Sequence, residues 1–254
     1  MEIALYGLIT FAVVFAGGLL GLLLGKLLPD QYRNDATKGI VQTATGMVSL
    51  IAALVLGLLV ATAKGKFDTT NQLTEEFAAK LMLINRELVN FGPEANEARA
   101  LLRKYTIAKI AATWPAEAGP KPEPGDPPAW KLLESFGQSL SGLTPKTEAQ
   151  RSEATAASAA AADLEKATWL EAAQESAHVQ HPFVVMLILW LFVLFVSFGL
   201  FAPRNGVVVA ALLVGALAIA GAVFLIVDMD SPYTGILVVS PRPMQQALAD
   251  MSGS

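Results

Sequence analysis

Hydrophobic positions fall in four long blocks, and most polar positions gather between the second and the third. The blocks run over Ile3–Leu28, about Ile40–Ala63, Phe183–Ala202 and about Gly206–Val227. Each matches the roughly 20 apolar residues that a helix needs to cross a hydrocarbon core of about 30 Å. No charge interrupts any of them before its last turn, where Lys26 stands in the first. A short polar link, Leu28 to Lys38, joins the first two blocks, and Pro203-Arg204-Asn205 joins the last two. The pattern predicts an all-α membrane protein with four transmembrane helices. They form two hairpins, 1–63 and 182–230, flanking a helical-bundle aqueous domain, 64–181, with a C-terminal tail over 231–254.

Between the hairpins the hydrophobic period changes to that of amphipathic helices. Phe77, Leu81, Ile84, Leu88 and Phe91 draw one apolar stripe. No proline lies between Lys64 and Phe91, so span two is predicted to run on into the domain until Gly92-Pro93 stops it. Further helices are predicted over about Glu94–Trp114, with Leu102, Tyr105 and Ile110 near one face, and over Ala129–Leu143, with Leu133, Phe136, Leu140 and Leu143 inward. A proline-rich loop, 115–128, separates them. The alanine-rich stretch Glu148–Val179 is a strong helix former, broken from span three by Pro182.

Composition sharpens this picture. Of 18 lysines and arginines, 13 lie between Lys64 and Lys166, so charge sits in the insertion and the ends are oily. A net charge of −4 provides no basic field for nucleic acid. Cysteine is absent, so disulfides and thiolate metal sites are excluded. The start Met1-Glu2 has no basic n-region, and the first block is too long for a signal h-region, so it reads as a span. No P-loop, HExxH or GxSxG occurs, and neither an enzyme nor a cofactor is expected. His178 and His181, with Glu171 and Glu175 one and two turns earlier, are loosely spaced and are expected to be plain interfacial residues; a metal or pH-sensing site is the lesser alternative.

Small residues mark three spans. Span one carries Gly17, Gly21 and Gly25, a GxxxGxxxG stripe that lets two backbones approach closely in lipid. Its expected partner is span two; a subunit interface is the alternative. Span four has Ala211, Gly215, Ala218 and Ala222 on one face. Span three is bulky, with Trp190, Leu191, Phe192 and Phe195, and is expected against lipid. Span two carries Gln42, Thr45, Ser49, Ala53 and Gly57 near one face. These either pack on span one or line a pore, where hydroxyls and a narrow backbone leave room for water and ions.

Connectivity places charged groups on two membrane sides. Lys26, Asp30, Arg33, Asp35, Lys38 and Arg204 share the side of the short loops. Lys64, Lys66, Asp68, Asp228 and Asp230 share the domain side. The excess of basic residues on the short-loop side assigns it to the cytoplasm and the helical domain to the periplasm or exterior. Acidic groups beside hydrocarbon need a partner or water. Lys64 or Lys66 is therefore expected to pair with Asp228 or Asp230; in the alternative, the aspartates ring a pore mouth and select cations. On the short-loop side Arg204 is expected to pair with Asp30 or Asp35.

Four segments carry a resemblance: SLIAALVLGLLVATAKGKFD (Ser49–Asp68), FGPEANEARALLRKY (Phe91–Tyr105), SFGLFAPRN (Ser197–Asn205) and FLIVDMDSPYTGIL (Phe224–Leu237). In this order they resemble the bestrophin-like domain family of bacterial membrane proteins. The family is named for bestrophins, pentameric anion channels with two transmembrane pairs flanking a helical domain. The resemblance implies that fold, a place in the bacterial inner membrane, and transport of inorganic ions; the homo-oligomer is expected because three of the four spans show small-residue faces, more than packing within one protomer uses. It carries no pore residue over, because bestrophins line their neck with phenylalanines and span two has none between Ile40 and Ala63. Nor does it carry over a calcium site, since the acidic calcium clasp has no match here. Bestrophins also hold their helical domain in the cytoplasm, opposite to the charge count. The leading expectation is an ion channel lined by span two. The rival is a non-conducting envelope scaffold or stress sensor whose helical domain binds a protein.

Overall fold

The computed structural model describes residues 2–27, 29, 35–115, 121–175 and 181–253. Among these, all regular structure is helical: α1 (Glu2–Leu27), α2 (Asp35–Phe91), a single 3-10 turn (Pro93–Ala95), α3 (Asn96–Thr113), α4 (Ala129–Ser141), α5 (Glu148–Glu175), α6 (His181–Leu200), α7 (Gly206–Asp230) and α8 (Arg242–Gly253). Four of them, α1, α2, α6 and α7, are long and apolar enough to span a bilayer. The chain divides into two compact units, Met1–Phe67 with His178–Leu237, and Asp68–Ala177 with Val238–Ser254. The division falls inside α2, a continuous helix of 57 residues.

In the first unit α1 packs against both α6 and α7. The glycine stripe of α1 meets α6, not α2 as expected from the sequence. A methyl group on Gly17 would press on the Phe192 ring and carbonyl, on Gly21 it would strike the Val196 carbonyl oxygen, and on Gly25 the Leu200 carbonyl oxygen. These partners advance together by four, so α1 and α6 run parallel with one backbone laid on the other. Gly199 of α6 answers in kind, lying against Gly18 and Leu22 of α1. A second pair of glycines, Gly7 and Gly18, faces Phe224 and Leu212 of the antiparallel α7. Span three is therefore a central packing element and not a lipid-facing outsider. Leu187, Leu191, Leu194 and Phe195 are buried in a core completed by Val14, Leu22, Leu212, Val223 and Ile226.

α7 begins where Asn205 caps it, its side chain accepting the Val208 N–H at 2.9 Å. Its small face behaves differently from that of α1. Gly215 receives the Phe195 ring, Ala222 is half-buried, and Ala211 and Ala218 stay exposed. α2 contributes Ala52, Leu59 and Ala63 to the core, yet its apolar stretch is the least covered of the four.

The second unit is built on the stripe read from the sequence. Phe77, Leu81, Ile84, Leu88 and Phe91 are all buried. α2 ends at Gly92, whose φ of +113° suits a residue without Cβ. The freed Phe91 carbonyl accepts from the Gln150 side chain of α5 at 2.9 Å. In α4 the inward face is Leu132, Phe136 and Leu140; Leu133 and Leu143 are only half-buried. The 231–254 segment is no mere tail. Its α8 buries Met244, Ala247, Leu248 and Met251, packs on α3, and places Asp250 3.5 Å from the buried Asn85 amide. Just before α8, the Val239 carbonyl accepts the Trp114 indole N–H at 2.8 Å. The proline-rich loop is tied by Asp126, which accepts the Glu123 N–H and pairs with Lys104 at 3.0 Å. That ammonium holds the Asp126 carboxyl below its ordinary range. Glu153 beside Glu87 pushes the Glu87 carboxyl up, first through the hydrogen bond they share.

The glycine contacts differ in what blocks a side chain, and stability should follow that difference. At Gly21 the obstacle is backbone, which cannot turn aside; at Gly18 it is the flexible Leu212 side chain. Gly21→Ala is expected to cost about 1–3 kcal/mol, the range for overpacking, and Gly18→Ala clearly less. Thermal unfolding of the two variants in detergent measures this. Equal midpoints would show that α1 and α6 are not in backbone contact.

Candidate functional site

The candidate site is the polar side of α2 within the first unit, together with the charged groups near its ends. An α-helix turns about 100° per residue, so residues seven apart nearly align. Thr45, Ala52, Leu59 and Lys66 follow that spacing on the side facing the rest of the unit, with Ser49 near them. Gln42, Ala53 and Gly57 are exposed on the neighbouring side, with Gly39 and Gly46 among them. The five residues read as one face thus divide. Thr45 and Ser49 turn inward, whereas Gln42, Ala53 and Gly57 stay open.

The inward pair meets α6. The Thr45 and Ser197 hydroxyls lie 2.7 Å apart, one donating to the other. Around them is a cleft of about 360 Å³ lined by Lys38, Gln42, Thr45, Gly46 and Ser49 from α2 and by Ser197, Phe198, Phe201 and Ala202 near the end of α6. Ser197 was legible only as a lone hydroxyl in an apolar span, and the sequence gives no sign that it would meet Thr45.

At the other end of the apolar stretch the five charged candidates separate. The Lys66 ammonium lies 2.7 Å from the Asp230 carboxylate and 3.2 Å from its backbone carbonyl. Lys64 is exposed, its ammonium 5.9 Å from the centre of the Phe67 ring. Asp68 is exposed and belongs to the second unit. Asp228 corrects the expectation of an ion pair or a pore mouth. It is fully buried, and its carboxylate accepts the backbone N–H groups of Ile236 at 3.1 Å and Leu237 at 2.8 Å. A carboxylate can be held in an apolar setting when amides of a following turn point at it. The turn comes close because Gly235, at φ +123°, brings its backbone against the carboxylate. A buried group that is already bonded to its own chain cannot also face an aqueous mouth.

Several expectations fall elsewhere. Asp30, Arg33 and His178, and the side chains of Glu171, Glu175 and His181, lie outside the described residues. Among the described residues, Arg204 is exposed and no ion pair joins it to Asp35. No group of three or more metal-ligating side chains is found among them either.

Regular structure that is helical throughout the described residues, with four helices there long and apolar enough to cross a bilayer, defines an integral all-α membrane protein. Residues 11–244 match the bestrophin-like domain, so the chain belongs to the bestrophin-like family. Its fold is similar to that of a bacterial bestrophin homologue from Klebsiella pneumoniae, solved as point variants. One variant matches over 100% of both chains at a TM-score of 0.67 and 12% identity. A second covers 95% of this chain and 99% of its own at 0.65 and 13%. No curated protein matches the chain significantly.

The Asp228 turn makes a direct prediction. In Asp228→Asn one oxygen still accepts an N–H, but the new amide meets the other N–H donor to donor. The expected cost is about 1–3 kcal/mol, that of a buried unsatisfied group. Gly235→Ala, strained in φ and pressed on the carboxylate, should be at least as disruptive. Thermal midpoints and protease cleavage within 231–241 report both. Wild-type values for Asp228→Asn would show that the turn does not hang on this carboxylate.

Proposed function

We propose that the protein is a homo-oligomeric ion channel of the inner membrane, with α2 lining the pore through Gln42, Ala53 and Gly57 and with Thr45 and Ser49 behind them. One observation carries this reading. The span with the most small and polar residues is also the one that the protomer covers least. Lipid is a poor solvent for the Gln42 amide and for a glycine-rich backbone, and a water-filled axis is a good one. Membership of the bestrophin-like family supports the same reading. The charge pattern favours anions over the cation-selecting alternative. From Lys38 to Lys64 α2 has no carboxylate, Asp228 is buried, and Asp230 is engaged by Lys66.

Purified protein in liposomes should therefore pass ions, and Gly57→Phe should reduce the current at least several-fold without changing the size of the assembly. Lys64→Glu should move the reversal potential toward cation preference, and Asp230→Asn should move it little. A well-assembled protein that passes no ion would refute the channel and leave the scaffold reading.

The short-loop charges Lys26, Arg33, Lys38 and Arg204, against Lys64, Lys66 and Arg242 on the other side, support a cytoplasmic short-loop side and an external helical unit. A cysteine placed at Glu123 in this cysteine-free chain should then react with an impermeant thiol reagent on intact cells. Labelling only after lysis would reverse the orientation.

A further inference from the structure

We propose that the cleft between the start of α2 and the end of α6 binds the headgroup and glycerol region of an anionic glycerophospholipid. The cleft has a definite polarity. Among the described residues its lining holds one cation, Lys38, an amide, Gln42, and three hydroxyls, Thr45, Ser49 and Ser197, and no carboxylate. Among the described residues, nothing bonds the Lys38 ammonium, the Gln42 amide or the Ser49 hydroxyl. Thr45 and Ser197 spend one hydroxyl hydrogen on each other, so the second remains to donate elsewhere. The described lining is therefore rich in donors and carries a lysine, which suits phosphate and ester oxygens.

Depth selects the source of those oxygens. Lys38 precedes the apolar block, and Ser49 lies 11 residues further along α2, about 16 Å at 1.5 Å per residue. The cleft thus starts at the headgroup level, where lysine side chains reach for anionic lipid, and runs into the outer hydrocarbon. A phosphate at Lys38 and Gln42 sets the acyl ester carbonyls near the hydroxyls. Phe198 and Phe201, which follow Ser197 toward the Lys38 end, supply an apolar wall beside the headgroup and glycerol, and Phe198 is half-exposed. A volume of about 360 Å³ lies at the small end of ligand sites; it admits a headgroup with its glycerol and excludes two whole chains. A free phosphate would use the mouth alone and give no role to the deeper hydroxyls. The cleft shares Gln42 with the proposed pore face, but its hydroxyl wall of Thr45, Ser49 and Ser197 lies on the inward side of α2, so lipid retention can be measured independently of ion current.

The test uses the full-length protein, purified in neutral detergent and offered phosphatidylglycerol or phosphatidylcholine, with bound lipid counted by native mass spectrometry. Wild type should retain phosphatidylglycerol in preference. Lys38→Gln, which removes a charge-assisted bond, and Ser49→Leu, which fills the cleft, should each weaken retention about tenfold or more. Both should keep the wild-type thermal midpoint. Should Ser49→Leu fail to assemble, Lys38→Gln combined with Thr45→Val carries the comparison. Equal retention of the two lipids, or retention untouched by the variants, overturns the proposal. Saturable binding of inorganic phosphate that is lost in Lys38→Gln, without lipid preference, overturns it in favour of a small anion.

Discussion

Inside a bilayer apolar surface gains nothing by leaving lipid for protein, so the membrane unit has to be held by close approach of atoms. The approach is closest where α1 lies along α6. Gly17, Gly21 and Gly25 meet the carbonyls of Phe192, Val196 and Leu200, and Gly199 returns the contact. The other spans take their places from this pair. α7 lies on the second glycine side of α1, and α2 reaches α6 through Thr45 and Ser197 and α7 through Lys66 and Asp230. A side chain on the α1 stripe would press against α6, whereas one at Gly7 or Gly18 would bear on α7.

Most of the architecture was legible because length and hydrophobicity are set by the bilayer itself. The stripe Phe77 to Phe91 was legible because a period of 3.6 has one inward face. The pairing of helices was not. A glycine stripe announces that some backbone comes near without saying which, and the bulky side chains of α6 suit a face against lipid as well as one against glycine. Phe192 and Phe195 instead lie over Gly17 and Gly215. α8 leaves a weak signal in the sequence, because its four buried residues fall within only 12 positions after a proline-bearing segment. Within α2, a run of small residues was read as one face. An arc of that width spans both the inward and the open side, so Thr45 and Ser49 part from Ala53 and Gly57.

The acidic residues show how position along a span decides chemistry. Asp228 and Asp230 are two residues apart, yet one serves the backbone of its own turn and the other a lysine. Neither leaves its charge open to an aqueous path. The chain thus closes α7 with two carboxylates whose effects stay local, while basic groups mark the two ends of the polar side of α2.

Gly39, Gly46 and Gly57 lie within about 20° of one another around α2, and a methyl group on any of them would touch nothing. In a helix interior each glycine is less favourable than alanine by about 1 kcal/mol. At Gly21 that loss is offset by contact with α6; on the open side of α2 the single chain offers no such return. The protomer alone would be better served by alanine at all three positions. Read this way, α2 is a helix finished by something outside its own chain, and the strip of bare backbone records how near that neighbour, or its water, has to come.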